Sequence, residues 1–197
     1  MKKSLFIFSM ILAFGIFTNK ATAQSHGGFG IRGGVNFSQL NNTNANDNSR
    51  TGLLLGLYFD ESIVDNLLMV QPEVLYTQKG FKSGGYNYRI DYIEVPIDFR
   101  VNFVNPSGVL PFVYAGPYVG FKVNTKFPGS SATVNGTTIS YNNGNNVKGT
   151  DFGIGVGGGL DFGRVNIGVR YDAGLTHVFN NGSAKNGVFS IVAGIGY

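Results

Sequence analysis

Reactive side chains are few in this chain of 197 residues, and their spacing excludes more chemistry than it supports. Cysteine is absent, so no disulfide framework and no thiolate nucleophile can form. The two histidines, His26 and His177, have no second ligand at metal spacing, and no serine partner can be placed beside either from sequence. Gly153-Ile-Gly155-Val-Gly157-Gly158 fits the pattern G-x-G-x-x-G. A dinucleotide fingerprint, however, needs a helix directly after the glycines, whereas here an extended alternation simply continues. The expectation is therefore no catalytic residue, no metal and no cofactor.

The sequence does contain charge confined to one face. In Ile90 to Phe103, Ile93, Val95, Ile97, Phe99, Val101 and Phe103 share one side of an extended strand. Tyr92, Glu94, Pro96, Asp98, Arg100 and Asn102 share the other. Seven further segments repeat this period of two, led by Phe29, Leu53, Val70, Val113, Phe152, Val165 and Phe189, and none has a helical period. Their apolar faces carry no charged residue. Their other faces carry Arg32, Asp60, Glu73, Glu94, Asp98, Arg100, Lys122, Asp151, Asp161, Arg170 and Asp172.

Alternation alone leaves two barrels open: a soluble one with its apolar face inward, and a membrane-spanning one with that face on lipid. Glycine separates them. Gly30, Gly34, Gly56, Gly116, Gly120, Gly153, Gly155, Gly157, Gly159, Gly168, Gly174, Gly194 and Gly196 mostly share the polar phase. Missing side chains help on a crowded concave wall and gain little facing water, and eight strands enclose just enough room for their own side chains. The polar face is inward. The connections alternate between long polar segments, at 38–51, 78–89, 123–150 and 178–186, and short ones, as in outer-membrane barrels. Aromatic residues gather near segment ends, as interfacial girdles do. The fold class is thus all-β, an eight-stranded antiparallel up-and-down transmembrane barrel. Pro72, Pro96, Pro111 and Pro117 lie in or beside strands and are expected at bulges or rims.

Residues 1–23 read as a cleaved signal peptide: Lys2 and Lys3 precede the apolar run Leu5 to Phe17, and Ala21-Thr22-Ala23 has the small-x-small pattern of a cleavage site. The barrel domain then occupies 24–197. Removing the leader lowers the net charge from +4 to about +1, which leaves no basic footprint for nucleic acid.

The chain resembles the Bacteroidetes outer-membrane β-barrel family often labelled "porin family", or PorT-like. The resemblance rests on GIRGGVNFS (30–38), QPEVLYTQKG (71–80), YIEVPIDFRV (92–101), PFVYAGPYVGF (111–121), GIGVGGGLDFG (153–163) and VRYDAGL (169–175). It implies outer-membrane location and carries over no catalytic residue. The expected function is a small structural, surface-interaction or envelope-accessory barrel, not an enzyme. The alternatives are a passive diffusion pore and, behind it, a rim enzyme acting on lipid A through His177 or a secreted soluble binder. Outer-membrane lipid is the expected environment, and an external or envelope protein is an expected partner through the long polar loops, above all 126–149.

Charges in a narrow lumen persist only when paired. A structural network is therefore expected from Arg32, Glu73, Glu94, Asp98, Arg100, Asp161, Arg170 and Asp172. It should centre on Glu94, Asp98 and Arg100, with Arg32, Glu73 and Arg170 as their partners.

Overall fold

The computed structural model describes residues 28–41, 49–64, 67–83, 85–103, 108–127, 131–134, 137–140, 146–180 and 182–197. The expected signal peptide at 1–23 and His26 lie outside them. The barrel strands are β1 (Gly28–Asn41), β2 (Arg50–Val64), β3 (Leu68–Ser83), β4 (Tyr86–Asn102) and β5 (Leu110–Lys126). A hairpin of β6 (Ser131–Val134) and β7 (Thr137–Ser140) follows, and then come β8 (Thr150–Asp161), β9 (Val165–His177) and β10 (Lys185–Gly196). Each barrel strand pairs antiparallel with its chain neighbours, and β1 pairs with β10 to close the cylinder. Closure leaves no edge, so every strand can satisfy its backbone groups within the sheet, which lipid demands.

The two faces separate as the alternation requires. Ile97 is 43% exposed, whereas Asp98, its neighbour on β4, is 0% exposed. Leu53, Leu55, Phe99, Ile154, Ile167, Val169 and Ile191 are likewise exposed, while Arg32, Glu73, Glu94, Arg100 and Arg170 are buried. A charged interior under an apolar exterior is stable only in lipid.

Three features differ from the sequence reading. First, β3 and β4 run well past Thr77 and before Ile90, so most of the expected connection 78–89 is strand. The hairpin closes at Ser83↔Tyr86 with Gly85 at φ +80°, a backbone conformation that favours glycine. Strand 3 misleads the reader because Gln78, Lys79 and Gly80 look like a loop. Second, no register shift falls at a proline. The pairings around Pro72, Pro96 and Pro117 lapse and resume in the same register, and the shifts occur at Ser62/Val64, Asp91/Tyr92 and Lys185/Gly187. A missing N–H removes one ladder bond without inserting a residue, and three adjacent strands absorb this at neighbouring positions. Third, the central wall is tall: β3, β4 and β5 have 16, 17 and 17 residues, against 12, 13 and 12 for β8, β9 and β10. About ten residues suffice to cross. The tall wall therefore rises beyond the membrane on the side of the long connections.

Candidate functional site: a charged lumen beneath an apolar cap

The inward side chains form tiers. At the end nearest the short connections, Arg100 of β4 donates to Asp161 of β8 at 2.6 Å and to Asn102 at 2.7 Å, with its guanidinium 4.0 Å from the Phe112 ring centre. The middle tier holds two ion pairs. Arg32 of β1 bonds Glu73 of β3, reaches Gln71 at 3.3 Å and lies over the Tyr58 ring. Arg170 of β9 bonds Asp98 across the lumen and Asp172 on its own strand at 2.7 Å. Above them Lys79 of β3 bonds Glu94 of β4 and reaches Asp151 of β8 at 3.2 Å. Tyr118 and Asn186 also donate to Asp151, at 3.3 and 3.0 Å.

The ion pairs of Arg32, Arg170 and Lys79 are buried, and a buried charge stripped of its partner costs several kcal/mol, so these tiers hold one another in place. Aromatic faces over Arg32, Lys79, Arg100 and Arg170 add contacts for the cations that need no further acid.

All eight residues expected in the lumen face it, and Arg170, one of the expected partners, bonds Asp98. Glu94 and Arg100 bond Lys79 and Asp161 instead, and Arg32 and Glu73 bond each other. The sequence reading missed Lys79, which is 0% exposed and binds two acids, because it was placed in a connection. Asp151 was read as inward but left out of the network. Continuing the β3 alternation through Gly80 to Phe81 would have found Lys79.

The upper end is closed differently. Leu40, Phe81, Tyr88, Ile90, Tyr92, Val147, Val178, Phe179 and Ala184 form a buried apolar cluster. Phe81 stacks on Tyr88 at 4.7 Å and meets Phe179 edge-on at 6.3 Å. Backbone bonds fold the segments around Val147 and Phe179 across the mouth: Lys148 N to Val178 O, Val178 N to Ala184 O and Asn180 N to Asn146 O. This cap was not legible from the sequence, since its members break the rule that inward residues are polar. His177 is exposed, with its backbone paired to Lys185. Among the described residues no group of three metal-ligating side chains occurs.

A closed eight-stranded barrel with an apolar exterior and ion pairs inside defines a small integral outer-membrane barrel protein. The chain belongs to the family described as outer membrane protein beta-barrel domain, whose sequence model matches residues 22–180. No curated protein matches it. Among solved structures it is similar to Neisserial surface protein A (NspA), with 15% identity and a TM-score of 0.54 over 87% of this chain and 97% of that one. It is also similar to the outer membrane enzyme PagL, with 17% identity and a TM-score of 0.57 over 84% and 98%. At such identities the likeness is one of fold.

Proposed function

We propose that this protein is a non-enzymatic, non-conducting outer-membrane barrel that acts at the cell surface or as an accessory of an envelope complex, in the manner implied by its resemblance to the Bacteroidetes PorT-like barrels. On this reading it is exported through a signal peptide cleaved after Ala23. Its long polar connections then meet an external or envelope protein.

One observation carries the reading against a pore: bonded side chains cross the lumen in successive tiers. Arg100, Arg32 with Arg170, and Lys79 each bridge strands, and the cap around Phe81 and Phe179 lies above them. Open aqueous channels belong to barrels of about twice this strand number. Planar-bilayer recordings on refolded protein are expected to show no stable conductance. Reproducible ohmic channels that change in Arg100→Gln would sink the plug and favour diffusion.

The likeness to PagL, whose name declares an enzyme, favours a second reading, the rim enzyme that the sequence offered as an alternative, acting on lipid A. His177 is the histidine it would use, and that side chain has no described acid or serine partner. Expression of the wild type and of His177→Ala in one strain is expected to leave lipid A at the same mass. A mass change dependent on His177 would overturn the non-enzymatic reading. Affinity capture from native membranes should identify the partner.

A further inference from the structure

The tall wall carries a basic concavity that the plug does not use. Arg50, Thr51, Lys82, Asn87, Arg89 and Lys126 line a cavity of about 370 Å³ at the upper ends of β2 to β5. Lys82 is paired in register with Asn87, and Arg89 with Lys126, all on the outward phase of their strands. Among the described residues one acid touches this group: Asp91 takes Arg89 at 2.7 Å and also accepts from Asn124. Four cations thus face one carboxylate.

Arg50 shows that the concavity is built. The residue is only 9% exposed, and its Nη1 is buried with no hydrogen-bond partner. Room for it comes from Gly52, where a Cβ would lie 3.0 Å from that Nη1 and 2.2 Å from the Gln78 carbonyl oxygen. A guanidinium that lines a basic cavity and keeps one donor unpaired suits an oxygen-rich anion, and the forked geometry of arginine suits phosphate.

Height and surroundings name the kind of anion. Below the cavity the outward face turns apolar, with Leu53 59% and Val123 54% exposed, and with Tyr76 paired to Ile93 at the level of the aromatic girdle. Arg89 lies four residues above Ile93, which for a tilted strand is on the order of 10 Å along the membrane normal. A ligand with a charged head above and acyl chains below matches that profile. Basic clusters at this depth favour anionic headgroups.

We propose that the basic cavity at the upper ends of β2 to β5 binds the phosphate of an outer-leaflet lipid headgroup through Arg50, Lys82, Arg89 and Lys126. The lipid then fixes how deep the barrel sits and which of its sides carries an ordered lipid. The site stands whether or not the lumen conducts, because none of its four cations takes part in the lumenal ion pairs.

Native mass spectrometry of the refolded full-length protein tests this, using an equimolar mixture of a diphosphorylated lipid A and the same lipid stripped of phosphate. The wild type is expected to retain the phosphorylated lipid about tenfold over its counterpart, and Arg89→Gln/Lys126→Gln to erase most of that preference. Both substituted side chains lie at the surface of the wall, and heat-modifiable gel mobility verifies that the variant has folded. Arg164→Gln, an exposed cation at the opposite end, should keep the wild-type ratio. Equal retention of the two lipids would overturn the proposal, as would an equal loss in Arg164→Gln. Displacement of the lipid by an excess of inorganic phosphate would overturn the assignment to lipid and leave a small-anion pocket.

Discussion

Strands β5 and β8 are hydrogen-bonded neighbours, yet over their middle stretch one fills the lumen and the other vacates it. From Phe112 to Tyr118 the inward residues of β5 are Phe112, Tyr114, Gly116 and Tyr118, and their register partners on β8 are Gly159, Gly157, Gly155 and Gly153. A Cβ on Gly157 would lie 2.4 Å from the Tyr114 ring, and one on Gly153 2.6 Å from the Tyr118 ring. Each aromatic ring therefore lies over the glycine beside it. Where β5 also has glycine, at Gly116↔Gly155, the space goes to Arg170: a Cβ on Gly155 would lie 2.2 Å from its Nη2 and 2.6 Å from Asp172 Oδ1. The unit of packing along this stretch is thus the cross-strand pair of a large residue and a glycine, and Arg170 of the middle tier occupies the one of these four pairs that lacks a large member.

The largest expected effect comes from filling that gap. Gly155→Leu should displace Arg170 from Asp98 and Asp172 while overpacking the wall, costing more than about 4 kcal/mol. No heat-modifiable species should then appear on refolding into vesicles. Emptying the gap comes next: Arg170→Met strands two buried carboxylates and should cost about 3 to 5 kcal/mol in urea unfolding. Adding Asp98→Asn should restore part of that loss. If Arg170→Met is neutral, the tier is decoration on a barrel held by its sheet alone.

Two milder pairs sharpen the comparison. A Cβ on Gly157 meets both the Tyr114 ring and, at 2.5 Å, the Val169 carbonyl oxygen. For one on Gly30 the three nearest atoms all belong to the side chain of Tyr58, its register partner. Gly157→Ala should cost about 2 kcal/mol and remain as costly when Tyr114 is Ala, because the carbonyl stays. Gly30→Ala should cost about 1 kcal/mol, and most of that cost should vanish in a Tyr58→Ala background. Double-mutant cycles measure both couplings. Equal coupling in the two pairs would mean that ring contacts, not backbone approach, explain every glycine.

The barrel was legible because its alternation is strict where lipid enforces it, from Ile93 to Phe103 and along β8 to β10. The inward phase could be assigned because the β8 glycines have no use facing lipid or water. Legibility failed where lipid no longer acts. Above Thr77 and before Ile90 neither face needs to be uniformly apolar, so Lys79 looked like a loop residue and Phe81, Tyr88 and Ile90 gave no hint of a cap. Partner choice was illegible for another reason. Arg100 meets Asp161 on a strand far away in sequence, and that depends on tier height around the whole circumference. Arg50 and the cavity beside it escaped notice because 38–51 and 78–89 read as polar connections, which took Arg50, Lys82, Asn87 and Arg89 off the strands.

The pairing of the first strand with the last has a consequence in time. Gly30 meets Gly196 and Asn41 meets Lys185, so this seam joins the two ends of the barrel segment and is its least local contact. Hairpins such as β3–β4 need only a short turn and can form early, whereas the seam must wait for all the other strands. Until then β1 offers an open row of donors and acceptors, which lipid cannot satisfy. Asn36 sits at this joint, accepting from Ser190 Oγ of β10 at 2.8 Å and donating to Thr77 Oγ1 of β3 at 2.7 Å. The β1–β10 seam is therefore the expected slow step of assembly, and its arrival, rather than the membrane crossing of any one strand, marks the moment the protein becomes a barrel.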